Sequence, residues 1–292
     1  MPRGRLQRTK DLWAACLEIL EEIQPASVRA VCYQLFNLKL IDSMQVRHTK
    51  RISNHLTQAR EEGVIPWEYI VDETGGVERP YGTWDDPEAF LATVGRAYHR
   101  DRWTQQPSLV EVWSEKSTVR GILAPVLYDY GVQVRYLGGW GGATRVHDAA
   151  QFIHHASQPV IILYVGDFDP SGMYMSEEDL PARLAKYGRA PHRFARIALT
   201  AEDGPDLGLA SFPASDKAKD ANYPWFVARY GKTCWELDAM SPVDLRRRVA
   251  EAIEHDIDWD AWERCAVTEE AEQRSMAAFF GTWKSIRGQV PL

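Results

Sequence analysis

The segment from Val160 to Gly172, with the sequence VIILYVGDFDPSG, constrains the fold more strongly than any other part of the chain. Its first six residues carry no charge, which predicts a strand buried on both faces of a parallel sheet. Asp167 and Asp169 follow almost at once, and the Pro-Ser-Gly after them predicts a tight turn. Because ligands bind at the carboxyl ends of strands in open α/β sheets, we expect these carboxylates to form a site for a hard divalent cation such as Mg²⁺.

Another predicted strand ends in a similar way. It runs from Leu109 to Trp113, and Glu115 and Lys116 follow it. The carboxyl ends of parallel strands meet at one edge of a sheet, so we expect three carboxylates and a lysine to converge there. The alternative is that the two aspartates only cap a turn and that Glu115 begins a solvated helix.

Strands and helices alternate beyond residue 108, which predicts an α/β fold with a Rossmann-like parallel sheet covered by helices on both faces. The predicted strands are 109–113, 132–137, 160–165 and 195–200. The glycine cluster at 138–142 lacks the Gly-x-Gly-x-x-Gly spacing, so it predicts a close-approach loop and no nucleotide site. We expect the remainder of the chain to be mostly helical.

The first 73 residues have the outline of a winged helix-turn-helix. Helices are predicted for 10–23, from Ser27 onwards and for 45–62, and a strand is predicted for 64–71. The third helix is rich in basic residues, and the side chains that we expect to bind DNA are Arg47, Lys50, Arg51 and His55. The alternative is a solvated helix packed on a small helical domain.

This organisation predicts three regions. They are a winged-helix DNA-binding domain at 1–73, a linker at 74–107, and a sheet domain with a helical C-terminal extension at 108–292. Glycine, proline and charged residues dominate the linker around one short helical stretch, which indicates a turn-rich connection.

Composition and charge exclude several classes of protein. With 292 residues and a net charge of −7, the chain is not a general polyanion binder, so we expect any contact with nucleic acid to be local. The four cysteines lack Cys-x-x-Cys spacing, which favours reduced thiols in the cytosol. No apolar run approaches the roughly 18 residues of a membrane span and no signal-peptide pattern is present, so we expect no membrane and a cytoplasmic, nucleoid-associated location.

The second predicted helix carries a candidate nucleophile. Its apolar residues form one buried face, made of Val28, Val31, Cys32, Leu35 and Phe36. Tyr33 lies roughly 130° from the centre of that face, facing outward, and Arg29 lies one turn before it on the same stripe. The guanidinium can bind a phosphodiester, and the phenol can attack it to form a phosphotyrosine. The alternative is a boundary tyrosine in ordinary cation–π contact with Arg29.

The residues from Ser27 to Tyr33, SVRAVCY, resemble the active-site helix of the topoisomerase VI A subunit and its relative, the meiotic double-strand-break protein. In that family a winged-helix domain with the tyrosine precedes a Toprim domain. A Glu-Lys pair follows the first Toprim strand and Asp-x-Asp-Pro-x-Gly follows the third. Glu115-Lys116 and residues 167–172 occupy those places here.

A later segment, WELDAM at 235–240, resembles the family's late Glu-containing motif, which makes Glu236 a further candidate near the metal site. The resemblance covers residues 25 to about 242. The short chain resembles the stand-alone A-like proteins sometimes called Mini-A. It departs from the family in having Cys32-Tyr33 where members often carry Tyr-Tyr.

The resemblance implies Mg²⁺-dependent cleavage of double-stranded DNA by transesterification. Tyr33 would attack a backbone phosphate and Arg29 would stabilise its charge. The residues implied to hold or flank Mg²⁺ are Glu115, Asp167 and Asp169, with Lys116 beside them. The implied assembly is a homodimer in which the tyrosine of one subunit works with the metal site of the other. Any ATPase B-type subunit would be a separate chain, because this sequence has no Gly-rich ATP-binding motif.

Two other functions remain open at this point. One is a metal-dependent nuclease in which the Toprim acids activate water and Tyr33 only contacts DNA. The other is a non-catalytic DNA-binding protein with a relict site. A protein-linked DNA end would indicate transesterification, and a free 5′ phosphate would indicate the nuclease. DNA binding that survives loss of the acids would indicate the non-catalytic DNA-binding protein.

Overall fold

The computed structural model describes residues 3–70, 82–138 and 143–287. The chain divides into two compact units. The first combines residues 1–75 with 110–255, and the second combines 76–109 with 256–292. The domain boundaries expected from the sequence stay a prediction.

The helices and strands follow one another in the expected alternation. In chain order the helices are α1 (Arg3–Ile23), α2 (Val28–Asn37), α3 (Val46–Glu61), α4 (Pro87–Ala97), α5 (Arg120–Tyr130), α6 (Ala143–His155), α7 (Pro170–Tyr174), α8 (Leu180–Tyr187), α9 (Asp203–Asp206), α10 (Tyr223–Tyr230), α11 (Pro242–Glu254) and α12 (Trp259–Arg287). The strands are β1 (Leu109–Ser114), β2 (Gln133–Tyr136), β3 (Val160–Val165), β4 (Arg193–Ala198), β5 (Ser211–Pro213) and β6 (Thr233–Trp235). Short 3₁₀ turns and one π turn at Met175–Asp179 join them.

Helices α1, α2 and α3 pack around one hydrophobic cluster. Gln24 and Pro25 end α1, because proline cannot continue a helix. Ser27 begins α2 as expected, since its hydroxyl accepts a 3.2 Å hydrogen bond from the Ala30 amide. The apolar face expected for α2 is confirmed, with Val31, Cys32 and Leu35 fully buried in the cluster.

The strand expected at 64–71 is wrong for the part of it that the structure describes, residues 64–70. A 3₁₀ turn at Trp67–Tyr69 follows Pro66 instead. Proline has no amide hydrogen to donate to a ladder, and Ile65 and Ile70 are both drawn into the helical cluster. Val71 lies outside the described residues, and the winged-helix interpretation stays a prediction.

The α/β class is confirmed by a four-stranded parallel sheet in the order β2-β1-β3-β4. Val112 pairs with Val134, and Leu163 pairs with Ala195. All six residues of β3 are buried, so this strand has the position that its uncharged sequence predicts. A smaller antiparallel pair, β5 with β6, lies elsewhere in the same unit. Of the predicted glycine loop, residues 139–142 lie outside the described residues.

In the second compact unit, Arg102 donates to Glu269, and the Tyr98 hydroxyl donates to Glu272 at 2.6 Å. Gln106 and Asp258 exchange two further hydrogen bonds. None of the helices in the described ranges combines the length and the apolar character needed to cross a bilayer.

Candidate functional site at the end of strand β3

Asp167 lies just beyond β3 and is buried. Its Oδ1 atom accepts a 2.7 Å hydrogen bond from the Leu237 amide and lies 2.8 Å from the Lys116 ammonium. Burial raises the pKa of Asp167, although Lys116 and the Leu237 amide both oppose this shift. Asp167 therefore contacts the Glu-Lys segment after β1, as predicted, and the contact is made by Lys116.

Phe168 separates the two acids and fixes the direction in which they point. It is fully buried and exchanges two backbone hydrogen bonds with Trp235, at 2.9 and 3.0 Å. Its ring packs against Phe226, Tyr230 and Trp235. Because side chains alternate along extended backbone, an anchored Phe168 leaves the acids on either side of it free to face the sheet edge. The same bridge brings the segment after β6 to this edge.

Asp169 serves as the N-cap of α7, where its Oδ1 accepts a 2.8 Å hydrogen bond from the Gly172 amide. Its Oδ2 atom lies 3.3 Å from the Lys217 ammonium. A side chain at Gly172 would overlap the Asp167 carbonyl oxygen, so the glycine of the Asp-Pro-Ser-Gly turn allows a close backbone approach. The capping role considered for this aspartate from the sequence is confirmed, and it coexists with the charge pair.

Glu115 follows β1, and the negative charges of Asp167 and Asp169 act on its carboxyl group. Burial, together with the negative charges of Asp167 and Asp169, raises the pKa of Glu115 to about 7, against smaller opposing effects of Lys116 and Arg196. The charges of Asp167 and Asp169 therefore act on Glu115, and the cluster of three carboxylates that the sequence predicts stays a prediction.

Lys116 lies close to three acids and belongs to a charge network made of Lys116, Asp167, Glu236, Asp238 and Arg29. In addition to Asp167, its Nζ atom lies 3.1 Å from Asp238 Oδ2 and 3.9 Å from Glu236 Oε2. Burial lowers the pKa of Lys116, but Asp167 and Asp238 outweigh that effect and the net shift is upward. The ammonium is therefore held as a cation among the acids. Thr118 adds a 3.3 Å hydrogen bond to Asp238.

The network extends to α2. The Arg29 guanidinium binds Glu236, and its Nε atom lies 3.1 Å from Asp238 Oδ2. Burial raises the pKa of Glu236 because it favours the neutral acid, but Lys116 and Arg29 favour the anion and outweigh burial. The net pKa of Glu236 is therefore lowered. Glu236 is thus a charged link between Arg29 and the acid edge.

Tyr33 hydrogen bonds to Glu236 and is only 6% exposed. The sequence correctly leaves it off the apolar face of α2, but the outward-facing position expected for it is wrong, because the segment after β6 covers it. Arg29 lies over its ring at 5.6 Å, so the expected stacking is confirmed. Burial raises the pKa of Tyr33, and the charge of Glu236 raises it further, against the opposing effect of Arg29.

Cys32 precedes Tyr33 but is fully buried in the helical cluster. Burial raises the pKa of its thiol to about 11, although Arg29 opposes this. The Cys32 thiol is therefore neutral and packed inside the helical cluster, which makes it a poor nucleophile.

The basic residues expected to bind DNA lie on α3. Arg47, Lys50 and Arg51 are exposed. A cleft of about 380 Å³ is lined by Arg47, His48 and Arg51, of which His48 was not predicted. His55 is partly buried, and burial lowers its pKa, as does Arg51. His55 is therefore neutral near pH 7 and fits a hydrogen-bonding role better than a cationic one.

The donor chemistry at the acid edge fits Mg²⁺, which prefers carboxylate oxygens. In the described ranges, however, no group of three or more His, Cys, Asp or Glu residues is arranged to hold a metal ion. Asp167 and Asp169 are each paired with a lysine instead. Mg²⁺ binding would require these carboxylates to exchange lysine for the ion, and the magnesium site stays a prediction.

Three charged residues of the site were missed from the sequence. They are Asp238, Lys217 and Arg196. Asp238 lies two residues after Glu236 in a recognised motif, and Arg196 is a charged residue in an otherwise mostly apolar strand, so both carried a signal. Lys217 belongs to a polar segment whose sequence gives no reason to place it at Asp169.

Comparison with protein-family models gives no match for this chain, and comparison with curated proteins gives none either. The resemblance to the topoisomerase VI A family therefore rests on its motifs, and membership of that family stays a prediction.

Proposed function

We propose that this protein cleaves DNA strands in an Mg²⁺-dependent transesterification, with Tyr33 as the nucleophile, in the manner of a topoisomerase VI A subunit. In this proposal residues 1–73 act as a winged helix and the parallel sheet acts as a Toprim domain. The expected partners are double-stranded DNA, a second copy of the chain and, where strand passage is driven by ATP, a separate B-type subunit.

One observation carries the proposal. A continuous chain of polar contacts runs from Tyr33 through Glu236 to Lys116 and Asp167. Arg29 joins it at Glu236. Helix α2 is formed near the start of the sequence and the acids follow β3, so the fold has gathered a tyrosine, an arginine and carboxylates from distant segments. A tyrosine that merely completed a helix boundary would not need this environment.

The covalent step conserves the number of phosphodiester bonds. The Tyr33 oxygen would form a bond to phosphorus while one bridging oxygen–phosphorus bond of the DNA backbone breaks. The phenolic proton would pass to the Glu236 carboxylate, to which the hydroxyl already hydrogen bonds. The departing strand would take a proton at its hydroxyl end. The reverse reaction would reseal the strand.

Other residues would act through charge. Arg29 would bind the phosphate undergoing attack, since a guanidinium donates two parallel hydrogen bonds to it. Glu115, Asp167 and Asp169 would hold Mg²⁺, which supplies charge stabilisation at the phosphate when bound. Lys116 would then be released from Asp167 toward the DNA backbone. The exposed basic side chains of α3 would bind neighbouring phosphates of the DNA backbone.

The test is covalent capture on end-labelled DNA. Protein denatured during the reaction with Mg²⁺ should remain attached to a labelled strand, and Tyr33→Phe should abolish this adduct with little change in stability. Tyr69→Phe is the matched control, because Tyr69 packs against the same helical cluster but belongs to no part of the charge network, and it should leave the adduct unchanged. Full scission by Tyr33→Phe would contradict the proposal.

A metal-dependent nuclease is the second candidate, and the burial of Tyr33 favours it. A phenol that is 6% exposed and whose pKa is raised by burial cannot reach a phosphate without a rearrangement, whereas water at the acid edge can. In that case cleavage would leave a free 5′ phosphate, and the adduct would not form with the native chain. DNA binding without any cleavage would indicate the non-catalytic alternative.

A further inference from the structure

Arg196 lies on β4, beside the end of β3. Its guanidinium donates to five acceptors. These are the carbonyl oxygens of Gly166, Asp167, Gly172 and Leu199 and the hydroxyl of Ser176. The distances are 2.7 Å to Leu199, 3.2 Å to Gly172, 2.7 Å to Ser176 and 2.9 Å to Gly166.

This set of contacts uses the full donor capacity of the side chain. An arginine has five N–H groups in a fixed planar fork, and here each has an acceptor. Three of the acceptors, the carbonyl oxygens of Gly166, Asp167 and Gly172, belong to the turn that carries the two aspartates. A lysine has only three donors around one point and could not bridge the same positions.

A β-bulge in β4 lies next to Arg196. Tyr164 pairs with Arg196, but Val165 pairs with Ala198, so β4 has one extra residue immediately after the arginine. Such a bulge redirects a side chain next to a site. The guanidinium carbon lies over the Tyr164 ring, 5.3 Å from the ring centroid, in a cation–π contact.

We propose that Arg196 is the positioning residue that fixes the acid turn, residues 166–172, and thereby sets the directions of Asp167 and Asp169 for a divalent cation. The inference rests on the cation site of the proposed function. Arg196 does not itself bind the cation. It acts through the backbone of the turn, to which it donates hydrogen bonds at Gly166, Asp167 and Gly172.

A matched control lies on the opposite outer strand of the sheet. Arg135 on β2 is also partly buried, binds Glu111 at 2.7 and 2.8 Å, and lies over the Phe152 ring at 4.8 Å. It has the same residue type, also combines hydrogen bonds with a ring contact, and has no contact with residues 166–172 among those described. A general loss of sheet stability should therefore be reproduced by Arg135→Lys.

The experiment measures binding of Mn²⁺ alone to the full chain by electron paramagnetic resonance, with no DNA present. We expect Arg196→Lys to weaken Mn²⁺ binding by about tenfold or more, as loss of a residue that orients metal ligands does, while Arg135→Lys changes it by less than about twofold. Ser176→Ala, which removes one acceptor and is a mild change, should weaken Mn²⁺ binding to a smaller extent and serves if Arg196→Lys does not fold.

Equal Mn²⁺ affinity in Arg196→Lys, Ser176→Ala and the native chain would overturn the inference, as would equal losses in Arg196→Lys and Arg135→Lys. Failure of the proposed function has a different signature. A native chain that binds Mn²⁺ but forms no covalent DNA adduct would contradict the transesterase and leave the role of Arg196 supported by the binding data.

Discussion

The Tyr33 hydroxyl hydrogen bonds to the Glu236 carboxylate, and Arg29 binds the same carboxylate. An anion next to a buried phenol disfavours the phenolate, which is why the pKa of Tyr33 is raised by burial and then by Glu236. In this arrangement Tyr33 is a neutral, covered phenol. A reaction at phosphorus therefore requires Glu236 either to take the proton or to move aside.

The Arg29–Glu236 contact should be measurable as a coupling energy. In a double-mutant cycle of Arg29→Ala and Glu236→Ala, we expect a stabilising coupling of about 0.5 to 1 kcal/mol, because the Arg29 side chain is 43% exposed and solvent screens the pair. Urea unfolding of the four proteins gives the value. The exposed pair of Arg247 and Glu251 is the control and should couple more weakly. A coupling no larger than that of the control would contradict a structural link between α2 and the segment after β6.

Gly172→Ala tests the close approach within the acid turn. A Cβ there would overlap the Asp167 carbonyl oxygen, so the turn must shift and we expect a loss of about 1 to 3 kcal/mol in the free energy of unfolding. Gly281→Ala in α12 is the control, since its Cβ would have no neighbour and alanine favours a helix. That variant should be neutral or slightly more stable. A Gly172→Ala protein as stable as the native chain would show that the turn tolerates the added atom.

Much of the fold could be predicted because it depends on local sequence. The uncharged run that forms β3, the acids that end it and the Ser27 cap of α2 are all visible within a few residues. The burial of Tyr33 was not predictable in this way, because helical periodicity shows which side chains leave the apolar face but not what covers them. Glu236 arrives from far along the chain, through the bridge between Phe168 and Trp235. The strand expected at 64–71 is not formed over residues 64–70 for a related reason, since Ile65 and Ile70 pack into the helical cluster.

The buried thiols of α1 and α2 predict a fall in stability at alkaline pH. Burial raises the pKa of Cys16 to about 12 and that of Cys32 to about 11. Above about pH 9 the unfolded chain loses these protons while the folded chain keeps them, so stability is full below that pH and falls as pH rises, by up to about 1.4 kcal/mol per pH unit for each thiol. Urea unfolding of the native chain and Cys32→Ala should run parallel near neutral pH and converge or cross above pH 9. Curves that stay parallel throughout would contradict the raised pKa of Cys32.

Divalent cations should control both cleavage and stability. The three carboxylates repel one another, and the lysine partners of Asp167 and Asp169 offset this only in part, so Mg²⁺ should raise the melting temperature and EDTA should abolish cleavage. Asp167→Asn should abolish cleavage while the chain remains folded, as judged by circular dichroism. Asp148→Asn is the control, because Asp148 is exposed on α6, and it should cleave normally. Unchanged cleavage in EDTA would remove the metal assignment of these acids.

The last prediction concerns assembly. In the single chain Tyr33 is buried and hydrogen bonds to Glu236, and the resembled family pairs the tyrosine of one subunit with the metal site of the other. A twofold dimer would also suit the cutting of two antiparallel strands. Tyr33→Phe and Glu115→Gln should each be inactive alone.

Mixing the two variants should restore nicking, because each heterodimer then contains one crossed site with an intact Tyr33 opposite an intact Glu115. Subunit exchange must be measured in parallel, with differently labelled chains, and a mixture of Tyr33→Phe with itself provides the background. If the subunits exchange and nicking does not return, the site is either formed within one chain or not used in this way, and the dimer hypothesis loses its mechanistic basis. In the first case the contact between Tyr33 and Glu236 would be part of the active site itself, and proton transfer between these two residues would be the step to examine.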